Sequence, residues 1–198
     1  MRLALPAALV AAVLTLTACD SGAEAPGASS VEVDTPELVK AKEQTDVPDC
    51  APGDATDGGL PDLTLPCLGG GTEVDLTSLQ GPMIINLWQA FCGPCRKEMP
   101  ALQDFHEQYG DQVPVLGIDY QDTQPAAALD LAKKSGVTYP LLADPGGDLN
   151  AADPLPVIRG LPYLLFLDED GELSIEAGGI ESADELVDLV GEHLGVDL

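Results

Sequence analysis

Met83-Ile84-Ile85-Asn86-Leu87-Trp88-Gln89-Ala90-Phe91-Cys92-Gly93-Pro94-Cys95-Arg96-Lys97-Glu98-Met99-Pro100 runs from a short apolar segment, through two cysteines, into helical spacing. Residues 83–88 read as a buried strand. Arg96 to Tyr109 reads as a helix. The sulfurs of Cys92 and Cys95 then stand at the first turn of that helix. Unpaired backbone N–H groups and the positive end of the helix dipole favour a thiolate there. A thiolate, not a thiol, attacks a disulfide.

Outward from this segment the pattern alternates. Glu73 to Leu76 suggests a short strand before it. Val113-Pro114-Val115-Leu116-Gly117-Ile118-Asp119 is a second continuous apolar run, as in a parallel strand buried on both faces. Pro125 to Lys134 has helical spacing and stops before Gly136. Tyr139 to Ala143 and Tyr163 to Leu167 are short strands, separated by loop. Asp168-Glu169-Asp170-Gly171 is a hairpin turn, Glu172 to Ala177 returns, and Ser182 N-caps a last helix to Leu194. Strand–helix–strand–helix–strand, then a hairpin and a helix, predicts an α/β fold around a mixed sheet flanked by helices.

The chain has 198 residues, enough for one well-buried domain. It carries 8 basic against 34 acidic residues, a net charge of -26. Such a surface repels nucleic acid and anionic headgroups, so no nucleic-acid partner is expected. Met1-Arg2 precedes an apolar stretch from Leu3 to Ala18, shorter than the ~20 residues that span a bilayer. It reads as a secretory signal over 1–18. Residues 19–46 are rich in Ala, Ser, Gly, Pro and acids and read as a flexible tether, with an r.m.s. span of ~30 Å. The folded domain is expected over 47–198.

Of the five cysteines, Cys50 and Cys67 remain once Cys19, Cys92 and Cys95 are set aside. Both lie in turn-rich segments of an exported chain, and a bond between them is expected as a staple worth ~3 kcal/mol. The alternative is a second redox pair, though nothing near either cysteine suggests activation. A structural zinc site needs four ligands, and only His106 and His193 are available besides the cysteines. His106 reads as a helix-face residue, and His193 complements the end of the last helix. No metal and no cofactor are expected.

The segment 86–100 resembles the active-site region of thioredoxin-fold proteins. More closely it resembles the TlpA/ResA group of membrane-anchored, extracytoplasmic thiol-disulfide oxidoreductases, over about residues 60–194. Gly160-Leu161-Pro162 resembles that group's loop carrying a cis proline opposite the cysteines, and residues around 120–150 match its insertion. Leu16-Thr17-Ala18-Cys19 looks like a bacterial lipobox, which implies a lipidated Cys19 and a membrane anchor. The resemblance implies that Cys92 is the nucleophile, Cys95 the resolving thiol, and that Trp88, Leu161 and Pro162 bind substrate. Where thioredoxin has a buried Asp, this chain has Asn86. Glu98, three residues after the second cysteine, matches the group's glutamate and is expected to manage the Cys95 proton; an exposed, helix-supporting Glu98 is the alternative. Tyr163 stands where many relatives carry Thr. Implied partners are disulfide-containing exported proteins and a membrane thiol electron donor. The Gly-Pro dipeptide implies reduction, with apocytochrome c thiols among the candidate substrates. Competing readings are a peroxide-reducing redoxin, for which Gln89 replaces the required Thr, and a non-catalytic lipoprotein with an inert Cys92–Cys95 bridge. Cys19→Ala is expected to abolish labelling by palmitate and to release the chain from the membrane fraction; retention of both would sink the anchor.

Overall fold

The computed structural model describes residues 31–198. The expected signal segment and Cys19 lie outside them. Helix α1 spans Pro36–Lys42 and precedes two short strands, β1 (Thr64–Leu65) and β2 (Val74–Asp75), which pair antiparallel. The main sheet follows: β3 (Met83–Trp88), helix α2 (Gly93–Tyr109), β4 (Val115–Tyr120), helix α3 (Pro125–Lys134), β5 (Leu141–Asp144), β6 (Tyr163–Leu167), β7 (Leu173–Ala177) and helix α4 (Ala183–Leu194). The strand order is β5-β4-β3-β6-β7. β3, β4 and β5 run parallel, and β6 and β7 are antiparallel to their neighbours. This is the mixed α/β sheet of a thioredoxin-like fold.

Strand alternation sorts the core into two layers. Ile84, Trp88, Val115, Leu164 and Phe166 face Met99, Leu102, Phe105, Leu129, Leu186 and Val190 on the helices. Ile85, Leu87, Leu116, Ile118, Leu165 and Leu167 face the other way, onto Cys50, Leu60, Leu65, Cys67, Leu76, Leu149 and Leu155. That second layer is made of the N-terminal segment and the long β5–β6 connection. β3 and β4 are buried at every position, as their continuous apolar runs require. The edge strand β5 is covered by backbone pairing. Leu68 N–H donates to Leu141 O at 2.9 Å, and Ala143 N–H to Pro66 O at 2.9 Å. Gly117 permits a close approach in β4. A Cβ there would lie 2.5 Å from Leu141 Cδ2 and 3.1 Å from Trp88 Nε1.

The structure corrects the tether over residues 31–46. Thr35 caps α1, Pro36 opens it, and Lys40 and Lys42 suit its last turn. Val33, Leu38 and Val47 are buried in the helix-side core, and Gly69 N–H donates to Val33 O at 2.8 Å. A seven-residue helix shows too few apolar positions for periodicity to announce it; docking on α3 makes it stable. Leu38→Ala is expected to lower the unfolding free energy by about 2 kcal/mol. Denaturant unfolding measures this, and an unaffected midpoint would return residues 31–46 to a tether.

Candidate active site

β3 ends at Trp88, and four residues later Cys92 forms the N-cap of α2. Its backbone is extended, with φ -72 and ψ 112, so its side chain points back over the first turn. There Cys92 Sγ accepts the N–H of Cys95 at 3.2 Å. Pro94 occupies the first turn, where its missing donor costs no helical bond. The two sulfurs are bonded, with Cα atoms 5.3 Å apart. Cys92 is half-buried, whereas Cys95 has no exposed surface. The helix therefore starts at Gly93 rather than Arg96, with Cys92 as its cap and Cys95 in its first turn.

Beneath the pair lies a carboxyl group. Glu98 is on the face of α2 that meets β3, and it has no exposed surface. This removes the exposed-glutamate alternative. Asn86, on the helix-facing side of β3, donates Nδ2–H to Glu98 Oε1 at 2.8 Å. Burial pushes the carboxyl up to about 8, against the Asn86 amide and the Ile180 backbone N–H, which pull it down. Oε2 has no well-aligned partner. Gly179 packs against it: a Cβ at 179 would sit 3.3 Å from Oε2 and 3.5 Å from Pro162 Cγ. Tyr139 is fully buried nearby; burial and the charge of Glu98 push its phenol well up.

Two loops complete the rim. The Leu161–Pro162 peptide is cis, and Pro162 O accepts the N–H of Gly178 at 3.1 Å. A groove of about 430 Å³ opens beside Cys92, lined among others by Pro94, Gln121, Ile158, Arg159 and Leu161. Tyr163 turns its hydroxyl to the Arg159 N–H at 3.5 Å, which ties it to the loop at the groove. Phe91, next to the nucleophile, is 61% exposed, and Arg96 stands 6.0 Å over its ring. From the turn after β4, Asp122 reaches across to clasp the cysteine loop. Its Oδ2 accepts Ala90 N–H at 2.8 Å, and its Oδ1 accepts Gln124 N–H at 2.8 Å. Asp119 is buried beside it. Desolvation first, then the charge and hydrogen bond of Asp122, hold its carboxyl well above the usual range.

The structure brings Cys92, Cys95, Glu98, Leu161 and Pro162 together. Trp88 is a correction. It has no exposed surface, so it supports the site from below and presents nothing to a substrate. Cys50 and Cys67 are bonded to each other, Cα atoms 5.8 Å apart, on the opposite layer. His106 stands edge-on to Tyr139, ring centroids 5.6 Å apart, and His193 stacks on Phe166 at 4.6 Å. Among the described residues no group of His, Cys, Asp and Glu is arranged to hold a metal. Sequence reasoning missed Asp122, Arg159 and the partnership of Asn86 with Glu98. An acid closing the apolar run at Asp119 was the one available hint.

The buried carboxyl has a pH signature. Folded, Glu98 keeps its proton to about pH 8; unfolded, it loses it near 4.5. Between those values the native state binds the extra proton, so stability falls as pH rises, by up to about 1.4 kcal/mol per pH unit. Glu98→Gln preserves an acceptor for Asn86 and removes the titration. Its unfolding free energy in the disulfide form is expected to be flatter between pH 5 and 8. An unchanged slope would show that Glu98 is already ionised there.

Comparison with known proteins agrees with this geometry. Residues 58–175 match the AhpC/TSA family. The thiol-disulfide oxidoreductase ResA of Halalkalibacterium halodurans is 26% identical over 125 residues, covering 61% of this chain and 69% of that protein. The thioredoxin-like protein YneN of Bacillus subtilis is 29% identical over 117 residues, covering 56% and 64%. The chain thus spans about two thirds of the length of these curated relatives. The structure of MTB DsbF, in its mixed oxidized and reduced forms, superimposes with a TM-score of 0.60 at 25% identity, covering 69% of this chain and 98% of that one. A cysteine pair capping a helix on this sheet, with these relatives, identifies the chain as a member of the AhpC/TSA family and a ResA-like thiol-disulfide oxidoreductase.

Proposed function

We propose that the protein is anchored outside the cytoplasm through a lipidated Cys19 and reduces disulfides in exported proteins. The observation that carries the reading is the pairing of a half-buried, helix-capping Cys92 with a fully buried Cys95 above a buried carboxyl. Cys92 thiolate attacks a substrate disulfide and forms a mixed disulfide, releasing one substrate thiolate. Cys95 gives its proton to Glu98 and attacks Cys92 Sγ, which frees the second substrate sulfur. The product is the Cys92–Cys95 disulfide with the proton on Glu98. Burial favours the neutral carboxyl in that state. A membrane thiol donor restores the dithiol, and Glu98 returns the proton.

Exposed apolar groups beside the groove favour a polypeptide substrate over a small peroxide. Phe91 flanks Cys92, and Val157, 48% exposed, precedes the groove residue Ile158. Gln89, which replaces the threonine of peroxide-reducing redoxins, commits its side-chain amide to Gln121 O at 2.9 Å. Apocytochrome c thiols are one candidate substrate class. Two measurements test the reading. Cys95→Ala is expected to accumulate mixed disulfides on Cys92 with exported proteins. The Cys92/Cys95 potential is expected near that of thioredoxin, about -270 mV; a value near -120 mV would reverse the direction to oxidation.

A further inference from the structure

The second disulfide does not stand in an inert setting. Lys42, from α1, is 7% exposed and turns its ammonium inward. Its Nζ donates to Gly70 O at 2.8 Å, to Asp49 Oδ1 at 3.1 Å and to Cys67 Sγ at 3.2 Å. The backbone N–H of Cys50 also points at Cys67 Sγ, at 3.3 Å. Two donors, one of them charged, thus converge on one sulfur of the pair. A cleft of about 470 Å³ adjoins it, lined by Lys42, Asp49 and the consecutive glycines 69–71. All three glycines have positive φ, and none carries a side chain to fill the space. A Cβ at Gly71 would lie 3.4 Å from Cys67 Sγ and 3.3 Å from Asp49 Oδ1. Cys67 itself is 1% exposed; Lys42 and Gly71, which line the cleft, are the residues that touch its sulfur from that side. Among the described residues, Val39, Phe91 and Val157 are the exposed large hydrophobic side chains. Val39 lines this cleft.

We propose that Cys50–Cys67 is a second thiol–disulfide couple that exchanges with low-molecular-weight thiols, with Cys67 as the reacting sulfur and Lys42 as the cation that holds its thiolate. A positive group beside a cysteine favours its thiolate, as a helix amino end does for Cys92. The Asp49 carboxylate competes for the Lys42 charge. Its side chain is 83% exposed, so solvent screens that pair while the contact to sulfur stays buried. Glu43 also lines the cleft, and Asp34 flanks Gly70. In the reductive direction a dithiol attacks Cys67 Sγ, the Cys67–Cys50 bond breaks and Cys50 leaves as a thiolate that takes up a proton. The second thiol of the reductant then displaces Cys67. The dithiol is oxidised to its disulfide, two electrons pass to the protein, and Cys67 is left as a thiolate paired with Lys42.

The test uses the full chain. The oxidised protein is titrated with dithiothreitol under native conditions, acid-quenched, alkylated and mapped by peptide mass. The reduced protein is separately challenged with glutathione disulfide. The Cys50–Cys67 bond is expected to open while the fold persists, with the glutathione adduct on Cys67. Iodoacetamide is expected to alkylate Cys67 near pH 6.5 about tenfold faster than in Lys42→Gln, with Lys42→Arg close to wild type. Opening only in denaturant, an adduct on Cys50, or equal alkylation rates with and without Lys42 would each overturn the proposal. If Lys42→Gln does not fold, the position of the adduct in the unsubstituted chain decides. Insulin reduction through Cys92 reports on the first couple alone, so the two sites fail or succeed separately.

Discussion

The contact between Asn86 on β3 and Glu98 on α2 is the interaction around which the site is organised. A carboxyl group with no exposed surface needs a hydrogen-bond partner, and burial favours its neutral form. The Asn86 amide supplies the bond at 2.8 Å, and burial supplies the raised proton affinity. The contact exists because the helix-facing side of β3 and the second turn of α2 are pressed together by Ile84, Trp88, Met99 and Leu102. The same packing puts the amino end of α2 directly after the strand. Cys92 therefore becomes a cap, and Cys95 is sealed beneath it.

The surrounding loops are held by polar bonds rather than by regular structure. Asp122 takes the N–H of Ala90 and so fixes the segment between β3 and the cysteines. The 160–162 loop is tied to the segment after β7 through Pro162 O and Gly178 N–H. Gly179 leaves room for Glu98 and Pro162 to approach each other. Each of these bonds fixes the backbone near a sulfur while leaving a groove open beside it.

Among the described residues, two disulfides stand in unlike settings. At Cys92 the positive field comes from unpaired backbone N–H groups at a helix start. At Cys67 it comes from one lysine side chain and one backbone N–H. The first arrangement is local and follows from a few consecutive residues. The second depends on α1 reaching across 25 positions of sequence to place Lys42 against Cys67.

The motif and the strand–helix order were legible in the sequence, because a C-x-x-C after an apolar run and a 3.6-residue spacing are local patterns. The mixed sheet follows from the order of the elements, whereas the strand register and the start of α2 at Gly93, with Cys92 as its cap, came from the tertiary structure, since pairing joins strands far apart in the chain. Whether Glu98 was a surface residue or a buried acid was not legible, since its i,i+3 spacing to Cys95 fits both; burial by β3 and the 178–180 segment decided it. Trp88 likewise has one sequence and two readings, and only the packing around Gly117 removed it from the surface. The docking of residues 31–46, the clasp of Asp122 and the company of Cys67 all rest on contacts between residues far apart in the chain. Sequence patterns record what a segment must bury or expose; which distant groups meet there is settled only when the layers close.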